Sequence, residues 1–262
     1  MHSLARHRYH RAAPVVLVLL LLGLIAGIAA AVSTASSANA ATTTSADDVS
    51  EGQKLFAANC ASCHGLGAEG QDGVAPSLIG VGAAAVDFQV GTGRMPMQAS
   101  GPQAIAKRTQ FSQAEISQLA AFVASLGAGP AIPTAEQVDP ALGDAANGMQ
   151  LFRTNCAMCH GSVGGGGALS QGKFAPNLWE TTPTHIYEAM LTGPQSMPVF
   201  NDANITSEGK RDIISYLKAQ DEGSPGGLRL GTIGPVAEGL WGWFLVLGLV
   251  VASTVWIGAR SS

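Results

Sequence analysis

Cys60-Ala61-Ser62-Cys63-His64 and Cys156-Ala157-Met158-Cys159-His160 are two Cys-x-x-Cys-His pentads, and together they use all four cysteines of the 262-residue chain. Two thiols about one helical turn apart can add to the two vinyl groups of a single haem as thioethers. The histidine directly after the second thiol then reaches the iron as its proximal ligand. A haem held covalently, with a protein ligand on each face, offers no ready position to a substrate and serves to pass electrons. Other readings fit less well. A structural zinc site does not require histidine after each pair. A thioredoxin-like pair occurs once, in a βαβ setting, and no strand pattern precedes either pentad here. A disulfide framework would place cysteines outside the pentads, and there are none. The expectation is two covalently bound c-type haems, attached at Cys60 and Cys63 and at Cys156 and Cys159, with His64 and His160 as axial ligands.

The surroundings of the pentads repeat as well. Gly52-Gln-Lys-Leu55-Phe56-Ala-Ala-Asn59 before the first aligns without a gap on Gly148-Met-Gln-Leu151-Phe152-Arg-Thr-Asn155 before the second. Ala75-Pro76-Ser77-Leu78 answers Ala175-Pro176-Asn177-Leu178, and Met95-Pro96 answers Met197-Pro198. The chain holds two copies of one domain of roughly 80 residues, a size at which an organic cofactor supplies much of the core. Each copy needs a second axial ligand, and the Met-Pro pairs provide one. A thioether sulfur is a soft donor that raises the iron's potential relative to a second histidine, and the proline fixes the backbone of the loop. Met95 follows His64 by 31 residues and Met197 follows His160 by 37, room enough for a loop that crosses the haem edge and returns on the other face. Met97 is a rival to Met95, because Met-Pro-Met offers two sulfurs. The alternative for all of these is core filling, the role assigned to Met149, Met158 and Met190. His185, in a helical stretch over 183–191, reads as a surface or propionate-contacting histidine, with bis-histidine ligation of the second haem as the other possibility.

The elements that would position these residues are helices. Asp47, Asp48 and Ser50 are N-cap candidates for a helix carrying Gly52, Phe56 and Cys60 four apart on one face. Ser112-Gln-Ala-Glu115 has the form of a capping box ahead of Ile116, Leu119, Phe122 and Val123 at helical spacing. In the second copy, Thr206-Ser-Glu208 opens a helix with Ile213, Tyr216 and Leu217. A glycine and an aromatic on the first helix would let the last helix cross closely, through Leu119/Phe122 or Ile213/Tyr216; an ordinary two-helix core fits the same spacing. No segment alternates as a strand does, so the fold class is all-α: two tandem class I cytochrome c domains. The proline-bearing stretch 128–141 reads as a stiff linker between a first domain over 45–127 and a second over 142–219. The glycine run Gly164 to Gly167 is a loop near the haem edge and no phosphate cradle, lacking the strand and lysine of a P-loop.

Both ends are apolar. The run from Ala12 to Val32 follows Arg6, Arg8 and Arg11, and Ala38-Asn39-Ala40 offers a cleavage site, so 1–40 is an export signal, either cleaved or retained as an anchor. After a membrane-proximal segment over 220–239, Leu240 to Ala259 runs without a charge, long enough to cross about 30 Å of hydrocarbon as a helix. Trp241 and Trp243 at one end, Trp256 near the other and Arg260 beyond complete a transmembrane pattern. Haem attachment takes place outside the cytoplasmic membrane, so the haem domains face outward and Arg260 inward. A net charge of −4, with 12% charged residues and no basic patch, excludes nucleic acid as a partner.

The whole layout resembles the di-haem cytochrome cc subunit of actinobacterial-type cytochrome bc complexes, the menaquinol–cytochrome c reductases. The resemblance rests on the two pentads, Gly93-Arg94-Met95-Pro96, Ser196-Met197-Pro198, Gly226-Gly227, and Gly234-Pro235-Val236-Ala237-Glu238-Gly239-Leu240 leading into the C-terminal helix. It implies a plasma-membrane electron-transfer subunit that takes electrons from the Rieske iron–sulfur protein, beside cytochrome b. It would pass them to an aa-type cytochrome oxidase in place of a soluble cytochrome c. Two other classes remain open at this stage: a di-haem subunit of a different membrane oxidase or dehydrogenase, and a di-haem peroxidase, against which the Met-Pro in both copies counts.

Overall fold

The computed structural model describes residues 45–99, 101–221 and 235–260, with Leu19 alone from the segment before them. The chain divides into two units, Met1–Thr43 and Thr44–Ser262, and the second carries both copies of the repeat. The rest of the N-terminal apolar run, and 222–234 with Gly226-Gly227, lie outside the described residues.

The first copy is built from α1 (Ala46–Asn59), the one-turn α2 (Ala61–His64), α3 (Ala83–Gly91) and α4 (Gln113–Ser125). Helix α1 starts at Ser45, one turn ahead of the cap expected at Asp47, Asp48 or Ser50. The Ser45 hydroxyl accepts from the Asp48 N–H at 3.0 Å while the Asp48 carboxylate accepts from the Ser45 N–H at 3.2 Å. Asp47 and Asp48 therefore lie in the first turn, where negative charge complements the exposed N–H groups. Helix α4 has the expected reciprocal box between Ser112 and Glu115.

Helix α4 packs across α1 at Gly52. A Cβ built on Gly52 would lie 1.9 Å from the Gln118 carbonyl oxygen, so only glycine admits this approach. The Phe56 and Phe122 rings meet at 5.2 Å and lead a core that includes Leu119, Val123 and Ile116. These are the close crossing and the contact face that the sequence suggested.

The second copy repeats the plan with α6 (Ala145–Asn155), the one-turn α7 (Ala157–His160), α8 (Pro183–Thr192) and α9 (Ser207–Asp221). Gly148 meets the Asp212 carbonyl as Gly52 meets Gln118, and Phe152 lies 5.6 Å from Tyr216. A short antiparallel ladder, β1 (Gly167–Ala168) with β2 (Phe174–Ala175), lies in the loop after the second pentad. That loop is longer than its counterpart: His160 bonds a carbonyl 16 residues on, where His64 bonds one 12 residues on. The first copy keeps one bridge at this place, Gln71 with Ala75, and the longer loop adds the Ala168–Phe174 pair to it.

The stretch expected to be a linker is folded. α5 (Ala135–Val138) has its own capping box between Thr134 and Gln137, and a 3₁₀ turn follows at Pro140–Leu142. Both pack on α9, and the Pro130 carbonyl accepts from the Ala84 N–H at 3.1 Å. The connection is thus part of both domains and no free spacer.

Lys210 is the buried cation of the second copy. Its Nζ donates to the Asp202 carboxylate at 2.6 Å and to the Ile205 carbonyl at 2.7 Å. Lys210→Met keeps the stem's packing and leaves that carbonyl without its donor. A loss of about 1–3 kcal/mol is expected, read as a lower thermal unfolding midpoint with haem content unchanged.

The last helix, α10 (Pro235–Arg260), is apolar and exposed from Gly239 to Arg260, and that stretch is long and apolar enough to cross a membrane. The Arg260 guanidinium covers the Trp256 ring at 4.3 Å, a pairing suited to a helix end at a membrane–water boundary.

Candidate haem sites

Each pentad begins where a long helix ends. The Cys60 N–H still bonds the Phe56 carbonyl and the Cys156 N–H the Phe152 carbonyl, both at 2.8 Å, after which the chain turns into α2 or α7. The His64 N–H reaches back to the Cys60 carbonyl at 3.0 Å and His160 to Cys156 at 2.9 Å. One helical turn therefore carries the second thiol and the histidine together. Burial pushes the Cys60 and Cys156 thiols up to about 11, with the neighbouring cysteine adding to the shift, so both stay protonated at neutral pH.

Both histidines are oriented from behind. His64 Nδ1 donates to the Pro76 carbonyl at 2.9 Å and His160 Nδ1 to the Pro176 carbonyl at 3.2 Å. A carbonyl only accepts, so the proton belongs to Nδ1 and the Nε2 lone pair is left for a metal. Burial also lowers the pKa of His160, which favours the neutral, ligating imidazole. These two prolines were visible in the sequence as the Ala-Pro-x-Leu repeat, but their role as acceptors was not.

Each methionine loop packs on the core of its own copy. In the first copy the Met95 N–H bonds the Gln89 carbonyl at 2.9 Å, and Met95 packs on the core cluster. Met97 is 41% exposed. Gly93 permits the turn: at φ +67°, a Cβ there would lie 2.0 Å from the Lys107 carbonyl oxygen. In the second copy, Gly193 ends α8 in the left-handed region and Met197 packs on the core of its domain. His185 borders the same cavity as His160 and Met197, and its Nε2 faces the Asp87 carboxylate of the first copy at 3.6 Å.

Cys156, Cys159, His160 and Met197 border a cavity of about 590 Å³, within the roughly 300–1,000 Å³ usual for ligand sites. The first copy supplies part of its wall, through Phe88, Arg94 and the segment from Ala106 to Thr109. Gln103 fixes that boundary by bonding both the N–H and the carbonyl of Phe174, at 2.8 and 3.0 Å, and the Gln195 side chain accepts from the Ala104 N–H at 3.1 Å. Arg94 stacks its guanidinium over Phe88 at 4.8 Å, and burial lowers its pKa. Two thiols, an imidazole with a free Nε2, a thioether on the same cavity wall and cations on its rim suit a haem with acidic substituents.

Two Cys-x-x-Cys-His turns, each with its histidine held by a proline carbonyl, on one helical scaffold define a tandem c-type cytochrome, an electron-transfer protein. The family profile described as "Cytochrome C oxidase, cbb3-type, subunit III" matches residues 47–123 and 143–217, one match per copy. Curated relatives cover most of the chain. The cytochrome bc1 complex cytochrome c subunit of Corynebacterium efficiens is 43% identical across 84% of this chain and 80% of its own length. The protein of the same name from Corynebacterium diphtheriae is 43% identical across 81% of each chain. That of Mycobacterium bovis is 44% identical across 80% of this chain and 77% of its own. The chain belongs to the family of cytochrome bc1 complex cytochrome c subunits, and its cofactors are two covalently bound c-type haems.

Proposed function

We propose that this protein is the membrane-anchored di-haem subunit of a respiratory cytochrome bc complex. It passes electrons from the Rieske iron–sulfur subunit, beside cytochrome b, to an aa-type cytochrome oxidase. In this reading it is the cytochrome c part of a quinol–cytochrome c reductase translocase, with no bond-making chemistry of its own. Cys60, Cys63, Cys156 and Cys159 hold the haems; His64 with Met95 and His160 with Met197 ligate the irons. Each bound haem supplies one Fe(III)/Fe(II) couple. The residues orient it, exclude water and set its potential. The haem domains stand on the outer side of the plasma membrane, held there by α10.

The observation that carries this reading is the shared wall, in which the first copy closes the cavity of the second. A carrier of two electrons' worth of sites needs them adjacent. An anchored carrier then meets its partners at a high effective concentration. The relatives' names and the exposed apolar helix support the same assignment.

The test is an optical spectrum of the tagged protein purified from native membranes in mild detergent. The expected result is b-type and a-type bands alongside the c bands. Bands of c-type haem alone, with no other subunits on a gel, would overturn the assignment to a reductase–oxidase assembly. Peroxide added to the reduced protein would then separate a free-standing carrier from a peroxidase.

A further inference from the structure

Asp87 on α3 and His185 and Glu188 on α8 come together where the two haem domains meet. One ligand atom from each, a carboxylate oxygen or an imidazole nitrogen, lies within 4.8 Å of the other two. Glu188 is fully buried, and neither of its carboxylate oxygens has a hydrogen-bond partner. Asp87 is 5% exposed and has one oxygen engaged by the Gln113 side chain at 3.3 Å; the other faces His185 Nε2 at 3.6 Å. That separation is too long for a good hydrogen bond.

An unpartnered carboxyl in a protein interior is costly, and a leucine or methionine would fill the same space on α8 without that cost. A protonated Glu188 has the Asp87 carboxylate beside it, so a shared proton is one occupant of this space and a cation held by all three groups is the other. What the three groups share is a small volume, with their ligand atoms all within 4.8 Å of one another.

We propose that Asp87, His185 and Glu188 form a zinc-class divalent cation site that clamps the first haem domain to the second. Imidazole combined with two carboxylates suits Zn²⁺ among the common divalent ions, with water as the fourth ligand. Ligand atoms on a tetrahedral zinc stand about 3.3 Å apart, given bonds of about 2.0–2.1 Å. His185 Nε2 and the Asp87 oxygen are nearly at that separation, so small side-chain adjustments close the site. The ion's two positive charges balance the two carboxylates, making the buried cluster neutral. In the metal-free protein a proton takes that part: burial and the facing Asp87 push the Glu188 pKa up to about 10. Zinc binding thus displaces a proton. Gly91 belongs to the site by its size, since a Cβ there would lie 2.9 Å from His185 Nε2.

The test uses the haem-loaded full chain in its native complex, purified without a polyhistidine tag, stripped with a chelator and re-equilibrated with Zn²⁺ alone. Zinc per chain is measured by mass spectrometry for the unaltered protein and for Glu188→Gln and His185→Gln. The expected result is one more zinc per chain in the unaltered protein than in either variant, with Mg²⁺ unable to compete. Zinc should also raise the thermal midpoint of the unaltered protein alone. His185 is partly exposed, so His185→Gln leaves the fold intact should the buried variant disturb it. Equal zinc in all three proteins would overturn the proposal by placing the metal elsewhere, and no uptake at 100-fold excess would leave the cluster as a proton store only.

Discussion

Gly148→Ala is expected to leave the protein with one covalently bound haem in place of two. The added methyl would lie 1.9 Å from the Asp212 carbonyl oxygen, 2.3 Å from its carbon and 2.9 Å from the Ile213 nitrogen. All three are backbone atoms of α9, so no side-chain rotation relieves the contact. Helix α9 cannot slide away cheaply either. The Asp212 carboxylate accepts from the Asp144 N–H at 2.8 Å and from the Asn147 side chain at 2.7 Å, which pins α9 to the start of α6. Separating the helices would also part Phe152 from Tyr216, and Ile213 and Ile214 with Leu217 from the rest of the core. Overpacking of ordinary side chains costs about 1–3 kcal/mol, and a clash against fixed backbone belongs at or above the top of that range. The gain in helix propensity from glycine to alanine, up to about 1 kcal/mol, does not offset it. Haem attachment requires α6, α7 and α9 in register, so the loss appears in the haem-to-protein ratio. Gly52→Ala should do the same to the first site through Gln118. Gly242→Ala is the control: nothing lies within 4 Å of a Cβ there, and both haems should remain.

How much of this was legible in the sequence depends on whether the signal was local. The pentads, the Met-Pro pairs and the Ser112–Glu115 box are short patterns whose chemistry is contained in consecutive residues, and the gap-free repeat made each copy a check on the other. The contact of Gly52 with the helix bearing Phe122 was one of two readings of the helical spacing, the other being an ordinary two-helix core, and only the backbone approach at Gly52 decides between them. The acceptor role of Pro76 and Pro176 did not, because a carbonyl leaves no mark in side-chain type. Thr134-Ala-Glu-Gln137 is a capping box as plain as the one at Ser112, but the prolines around it drew attention to stiffness and away from α5. The Gln103–Phe174 pairing and the Asp87–His185–Glu188 cluster join residues about 70 to 100 positions apart. Within its own helix Glu188 looks like any acidic surface residue, and only the docking of α8 on α3 buries it.

Met197→His should lower the midpoint potential of the second haem by on the order of 100 mV, taken against the ~0.8 V over which axial ligands tune haem iron. The direction follows from donor character. A thioether sulfur is soft and stabilises the electron-rich ferrous state, whereas a second imidazole favours the ferric state. A one-electron shift of 100 mV corresponds to a roughly 50-fold change in the equilibrium with any fixed partner, since tenfold is about 59 mV. Turnover of the native complex should fall with it, while haem content stays at two because the thioether bonds and His160 are untouched. Redox titration of the purified protein reads the shift directly, and an unchanged potential would show that Met197 does not ligate the iron. The first site carries its own internal comparison. Met95 packs on the core and Met97 is 41% exposed, so Met95→His should move the first haem's potential in the same sense. Met97→Ala should leave it where it was, and a shift in that variant instead would transfer the ligand role to the second sulfur of Met-Pro-Met.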